Sequence, residues 1–322
     1  MKKIDAHLHL VRDLASYKGL GRSNSLGNGE VVWDNGFKTR LFPENWGEDN
    51  FTIDSALKIM KEYDVEKAVL LQGSLYGFQN YYSWQAAKKY PQKFIAAFSL
   101  DPFADEAMKI LKRHVQDLGF RIMKLEISQN GGLMGYHHTF KLDESPMLNI
   151  FEVLKNYPGF TIAIDYGDIK QKSHQPDSIV HLAKKYPQLD FVVCHMSFPN
   201  ADKIEILKEE LLKFSKYSNI YCDIAAIQDI ENETSFPYPR CQKDISLAKN
   251  ILGPKKLIWG SDGPWSATFN NYDELFNWLK VSGLFSEEEL EDILYNNAKR
   301  IYFKPQNITA MKDSKDPLSE EM

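Results

Sequence analysis

Short apolar runs alternate with amphipathic stretches along most of the chain. The runs cover residues 3–9, 67–72, 94–100, 120–127, 160–166, 191–196, 220–224 and 257–262, and they are rich in Val, Ile and Phe. Runs this continuous suit parallel strands buried on both faces, whereas a half-exposed strand would alternate apolar with polar. Between them, helical spacing of the apolar positions predicts helices over 54–63, 104–118, 146–156, 176–186 and 201–217. Asp54, two residues after Thr52, gives the first of these an acidic first turn. Eight strand-then-helix units in a chain of this length predict an α/β fold, a single (β/α)8 TIM barrel with a long insertion after strand 1. A doubly wound open sheet is the alternative. It normally shows a glycine-rich phosphate turn after its first strand, and none is present.

The insertion is the stretch 10–53, with Gly19, Gly21, Gly27, Gly29, Trp33, Trp46, Arg12, Arg22 and Arg40. Long connections are uncommon unless functional. This one leaves the C-terminal end of strand 1, the face where barrel active sites lie. It reads as a lid or substrate wall. The other reading is a surface insertion that covers the barrel bottom or mediates dimer contacts. Residues 1–303 are expected to form the barrel and 304–322 a polar tail, mobile after about Ile308.

Bulk properties narrow the partners. The net charge is −5 with both signs interspersed, so no basic block points to nucleic acid and no polybasic segment to a membrane surface. No run approaches the roughly 18 apolar residues of a membrane helix. Two N-terminal lysines are not followed by a continuous apolar stretch, so no signal peptide is expected. Cys194, Cys222 and Cys241 lack CxxC spacing, and Cys194 lies in an apolar run where a buried, inert thiol is expected. These features suit a cytoplasmic protein acting on a small molecule.

Several predicted strands end in groups that ionise or bind metal. Side chains alternate along a strand, so His7 and His9 share a face and form half of a metal site. A pair of surface histidines near a frayed terminus is the plain alternative. Lys124 and Glu126 share a face of strand 4; strand 5 ends in Asp165, strand 6 carries His195, strand 7 ends in Cys222-Asp223 and strand 8 reaches Asp262. Singly, a strand-end Asp caps the next helix and a strand-end His is satisfied in the core. In a barrel, however, all of them meet at one mouth.

The Asp-Ala-His7-Leu-His9 start, the Cys-His195-Met-Ser strand, the Trp-Gly-Ser-Asp262-Gly-Pro strand and the Asn-Asn297-Ala-Lys-Arg helix together resemble the amidohydrolase superfamily. The resemblance runs to about residue 303. Its nearest branch is the amidohydrolase-related group of aminocarboxymuconate-semialdehyde decarboxylase-like and dicarboxylate lactonase-like enzymes. It implies a divalent metal, Zn2+ first and Mn2+ as an alternative, held by His7, His9 and Asp262. It places His195 near the metal in proton transfer or substrate polarisation. It also implies a homodimer. The family's strand-5 histidine ligand is replaced here by Asp165, which still offers an oxygen donor, as does Glu126. The lactonase-like branch works without a metal. Glu126, Asp165 and Asp262 crowded together favour a cation, although three charged histidines would also compensate them.

Two reactions use these residues. In hydrolysis of a small, carboxylate-bearing ester, lactone or amide, Asp262 is the general base and His195 the oxyanion or leaving-group partner. In decarboxylation, a protonated group delivers a proton to carbon as CO2 leaves. A non-catalytic ligand-binding barrel is the third reading, with Asp165 as its only sign. Arg240 is a candidate clamp for a substrate carboxylate, or else a salt bridge at a helix start. Trp265 walls the pocket or packs. His137 and His138 read as a solvated loop pair, and His114, His174 and His181 receive no role.

Overall fold

The computed structural model describes residues 1–18, 21–129 and 131–315. Eight parallel strands carry the fold: β1 Lys3–His9, β6 Val65–Leu71, β7 Phe94–Ala96, β8 Ile122–Glu126, β9 Thr161–Asp165, β10 Asp190–Val193, β11 Ile220–Asp223 and β12 Leu257–Ile258. They form a three-stranded sheet, β1-β6-β7, and a five-stranded sheet, β12-β11-β10-β9-β8. Two isolated parallel bridges link the sheets, Phe98 with Met123 and Leu8 with Gly263. Helices α1 Ile53–Glu62, α2 Asn80–Lys89, α3 Ala107–Lys112, α4 Met147–Leu154, α5 Pro176–Lys185, α6 Ile204–Phe214, α7 Ile227–Ile230, α8 Pro239–Leu252, α9 Glu274–Val281, α10 Glu287–Glu291, α11 Asn297–Ile301 and α12 Pro305–Asp313 fall between and after the strands. The α/β alternation is thus observed. No helix among the described residues is long and apolar enough to cross a membrane.

Two apolar clusters follow from the two faces of the strands. One gathers Ile4, Ala6, Val69, Leu71, Ile95, Ala97, Ile122, Ala163, Val192 and Ile258 with Tyr302 and Phe303. The other, larger cluster takes the alternate strand residues, such as Leu8, Leu70, Met123, Ile162 and Val193, and packs them against helix residues such as Leu111, Ile150, Leu182, Leu211 and Ile245. Helix ends are set locally. Thr52 Oγ1 accepts the Ser55 N–H at 3.3 Å to cap α1, and Ser286 with Glu289 makes a reciprocal capping box on α10.

Three expectations need correction. The last parallel strand is far shorter than 257–262. After Ile258 the chain leaves the β11 ladder but still follows β1, with Ala6 N–H donating to Trp259 O at 3.2 Å, Asp262 N–H to His7 O at 2.8 Å and His9 N–H to Gly263 O at 2.8 Å. Residues between β1 and α1 are not an open loop: β2 Tyr17–Lys18, β3 Gly21–Gly27, β4 Glu30–Trp33 and β5 Lys38–Arg40 pair antiparallel. The C-terminal stretch is no simple polar tail either. Pro305 opens α12, Asn307 and Met311 are buried, and Ser314 Oγ meets Trp84 Nε1 at 3.1 Å. The apolar contact at Met311 and backbone capture by Lys88, which donates to Lys312 O and Ser314 O, hold a segment whose composition is polar. The remainder of the expected tail, 316–322, lies outside the described residues.

Candidate active site

The first strand sets the geometry. Ile4 and Ala6 belong to one apolar cluster and Leu8 and Leu10 to the other, so the alternation changes phase between them. The change coincides with a register irregularity between Asp5 and Leu8. It puts His7 and His9 into the cavity, with ring centroids 5.1 Å apart. Asp5, fully buried, fastens this bend: it accepts from Ser261 N at 2.9 Å, Ser261 Oγ at 2.6 Å and Tyr272 OH at 2.7 Å. Gly260 is required beside it, because a Cβ there would lie 2.5 Å from His7 Cβ.

Each histidine is oriented through Nδ1. His9 Nδ1 donates to Leu71 O at 3.1 Å, and His7 Nδ1 donates to Asp223 Oδ2 at 2.9 Å. Neither oxygen has a proton to give, so in the neutral rings both Nε2 atoms carry lone pairs. Burial, reinforced by Lys124, pushes the His7 pKa down to about 4, which keeps it neutral. The two Nε2 atoms lie 3.3 Å and 3.1 Å from Asp262 Oδ1. Burial opposes charge on Asp262, but the neighbouring imidazoles of His9, His7 and His195 lower its pKa to about 2. Three electron-rich atoms therefore converge on one point, which repel unless a proton or a cation stands between them. The donor set His7, His9 and Asp262, with both imidazoles braced by a carboxylate or a carbonyl, fits a divalent metal.

His195 follows β10 in a left-handed turn: His195, Met196, Ser197 and Phe198 have φ of 55°, 48°, 65° and 57°. The strand expected to reach residue 196 ends at Val193 because the chain enters this turn. Asp223 Oδ1 accepts the His195 N–H at 2.8 Å, and His195 Nδ1 donates to Ala225 O at 2.9 Å. Its Nε2 lies 3.6 Å from Asp165 Oδ2. Burial works against charge on the ring, but Asp165, Asp262 and Asp223 outweigh it and push the pKa up to about 9. Burial likewise opposes charge on Asp165, yet the His195 contact and Lys124 hold it below the usual carboxylate range.

Asp165 therefore serves His195, and it stands outside the sets of groups close enough to share an ion. Glu126 stands outside them too. It accepts from Ser74 N at 2.7 Å and Ser74 Oγ at 3.2 Å, and burial with Asp165 nearby raises its pKa to about 7. Sequence reading did not give Asp223 a role, yet it is fully buried and touches both His7 and His195. Its position at a strand end next to Cys222 was the available signal.

The cavity over these groups has a volume of about 530 Å³. Its outer wall comes from the segments after β11 and β12, including Gln228, Asp229, Trp265, Phe269 and Asn270. Trp265 does line it. The described residues of segment 10–52 contribute none of the lining; they act one layer out, with Phe42 stacked on Tyr76 at 5.6 Å and Leu41 O accepting from Tyr76 OH at 3.3 Å. The expectation of a direct lid or wall is corrected accordingly. Arg240 is also absent from the lining. Its Nε donates to Glu231 Oε2 at 2.7 Å and its guanidinium forks onto both oxygens of Asp202 at 3.2 and 3.1 Å, so it is a structural salt bridge and no substrate clamp. His137 pairs with Asp101 at 2.7 Å, His174 with Glu210 at 2.8 Å and His181 with Asp143 at 2.8 Å, all away from the cavity.

The family model described as amidohydrolase matches residues 4–304. No curated protein matches the sequence. Among solved structures, the chain is similar to a probable 2-pyrone-4,6-dicarboxylic acid hydrolase from Acinetobacter baumannii with citric acid bound, at 18% identity over 94% of this chain and 100% of that one, with a TM-score of 0.63. It is similar to an amidohydrolase from Burkholderia multivorans with bound zinc, at 14% identity over 95% and 100%, with a TM-score of 0.70. It is also similar to a 2,6-dihydroxybenzoate decarboxylase from Rhizobium, at 15% identity over 77% and 87%, with a TM-score of 0.55. Identities this low speak for the fold alone, whereas the family match spans β1 to α11: the chain belongs to the amidohydrolase family.

Proposed function

We propose that the eight parallel strands close one (β/α)8 barrel, with residues 10–52 inserted after its first strand, and that the barrel is a metal-dependent hydrolase of a small ester, lactone or amide. The observation that carries this reading is the meeting of His7 Nε2, His9 Nε2 and Asp262 Oδ1 at the floor of a cavity large enough for a small molecule. Two imidazoles and one carboxylate suit Zn2+, which when bound acidifies water and polarises a carbonyl. The chain's own residues supply the remaining roles. Asp262, ionised, accepts the proton of the attacking water as the water oxygen bonds to the carbonyl carbon. His195, protonated at neutral pH and aligned by Asp165 and the Ala225 carbonyl, donates a proton to the oxygen or nitrogen whose bond to that carbon breaks. Lys124, buried 3.1 Å from Cys194 Sγ, holds positive charge among Asp165, Asp223 and Glu126 and favours the ionised forms of Asp165 and Asp223. The test combines metal content with turnover of an ester, lactone and amide panel. Metal-bound wild type that turns over nothing would defeat the hydrolytic reading.

One observation favours a second reading, decarboxylation. A protonated His195 beside the cluster is as well placed to hand a proton to carbon as to a leaving group. Release of CO2 from an aromatic carboxylate panel, without uptake of water oxygen, distinguishes it.

A further inference from the structure

Among the described residues the cavity is lined by five carboxylates, Glu126, Asp165, Asp229, Glu233 and Asp262, and by no arginine. Its one lysine, Lys124, is already placed against Cys194 and the inner carboxylates. Four of the five acids have evident partners: Asp262 faces His7 and His9, Asp165 faces His195, Glu126 holds Ser74, and Glu233 accepts the N–H groups of Arg240 and Cys241 at 2.9 and 3.0 Å.

Asp229 differs. It takes neutral donors, Ser266 Oγ at 2.5 Å and Asn270 Nδ2 at 2.8 Å, one on each oxygen, with the Gln228 side chain beside it. Each oxygen keeps acceptor capacity. No cationic side chain among the described residues pairs with it, and its partial burial pushes its pKa up to about 6. A desolvated carboxylate without a counter-charge is unfavourable, and a cationic ligand relieves that. The same wall carries Trp265 and Phe269, edge to face with centroids 5.0 Å apart. Aromatic rings attract cations and do nothing for a carboxylate. Beside it in the chain, Gln228 is 2% exposed and also lines this cavity.

We propose that this wall is a subsite for an organic ammonium group, so that the substrate carries a protonated amine held by Asp229, Trp265 and Phe269. Placed in the cavity of the proposed hydrolase, and resting on that reading, the inference names the substrate as an amine-bearing ester, lactone or amide. A substrate carboxylate placed here would meet Asp229 and Glu233 with no cation to offset them.

The test separates binding from turnover. Binding of 2-phenylethylammonium, 2-phenylethanol and phenylacetate to the metal-loaded protein is measured by calorimetry. The ammonium probe should bind tightest, by roughly tenfold or more over the neutral one, and Asp229→Asn should erase that preference while circular dichroism stays unchanged. Asp229→Lys should shift preference toward phenylacetate. A wild type that binds the ammonium no tighter than 2-phenylethanol, or an ammonium preference over it that survives Asp229→Asn, overturns the subsite. The wild-type ranking decides the matter even where a variant fails to fold. In parallel, p-nitrophenyl esters with amine, hydroxyl and carboxylate arms of equal length are offered as substrates. An Asp229-dependent ammonium preference without turnover of any ester leaves the subsite standing and removes the hydrolase.

Discussion

Asp223 on the seventh parallel strand accepts a hydrogen bond from His7 Nδ1 on the first, at 2.9 Å, with its other oxygen on the His195 backbone N–H at 2.8 Å. One carboxylate thus fixes the tautomer of a candidate ligand and the position of the candidate acid. Burial opposes its charge, but the His7 hydrogen bond, His195 and Lys124 hold its carboxyl well below the usual range. Asp223→Asn keeps the shape and lets the side chain present N–H to His7. Metal affinity should fall about 10- to 100-fold, measured by chelator competition, with the circular dichroism spectrum retained. Unchanged affinity would reduce Asp223 to a packing role.

Asp262→Asn tests the base. The amide keeps an oxygen toward His7 and His9 but accepts no proton at neutral pH. On any accepted substrate kcat should fall by about 10²–10⁴. Zinc content read by elemental analysis on the same samples separates loss of the base from loss of metal. Near-wild-type kcat would move proton acceptance to another group.

His174 predicts a pH dependence of stability. It sits between Gly167 O and Glu210 Oε1, at 2.9 and 2.8 Å. Burial works against its charge, but Glu210 and the carbonyl outweigh this and raise its pKa above 6.5. A raised folded-state pKa means the extra stability is complete below 6.5 and is lost as pH climbs through the folded value. Urea unfolding should show wild type losing stability as pH rises above 6.5, and His174→Gln should flatten that slope. Parallel slopes in the two proteins would refute the assignment.

Asp244 on α8 predicts the opposite design lesson. It is fully buried, and neither carboxylate oxygen has a hydrogen-bond partner. Burial, then the negative charge of Glu231, pushes its pKa up to about 8. An acid with a raised folded pKa destabilises increasingly as pH rises from its unfolded value toward the folded one. Asp244→Asn should therefore raise Tm at pH 8 by more than at pH 5, by a few degrees in a thermal scan. A lower Tm at both pH values would show that the carboxyl is needed.

What the sequence disclosed and what it hid divide along a physical line. Strand-ending polar residues show in one dimension, so His7, His9, His195 and Asp262 were legible. Asp165 was legible too, but its partner was not, because the 3.6 Å approach of His195 depends on a left-handed turn that no periodicity announces. The β1 irregularity was equally silent; simple alternation gives the right shared face for His7 and His9 while missing the phase change that aims it. Arg240 stood open between clamp and salt bridge because its partners Asp202 and Glu231 are brought to it only by folding. The helix Pro305–Asp313 escaped notice because Met311 is a slender apolar signal in a polar stretch.

The turn at residues 195–198 has a consequence for how this chain can change. Left-handed backbone disfavours side chains by about 1–2 kcal/mol per residue, and glycine would relieve it, yet all four positions carry side chains. Ser197 donates to Glu210 and meets Tyr166, so the surroundings clamp the turn in place. The chain holds an unfavourable backbone where the proposed proton donor must not wander. Selection for thermal robustness and selection for a fixed imidazole thus pull on the same few residues, and glycine, the replacement that most relaxes the main chain, would also loosen the His195 ring.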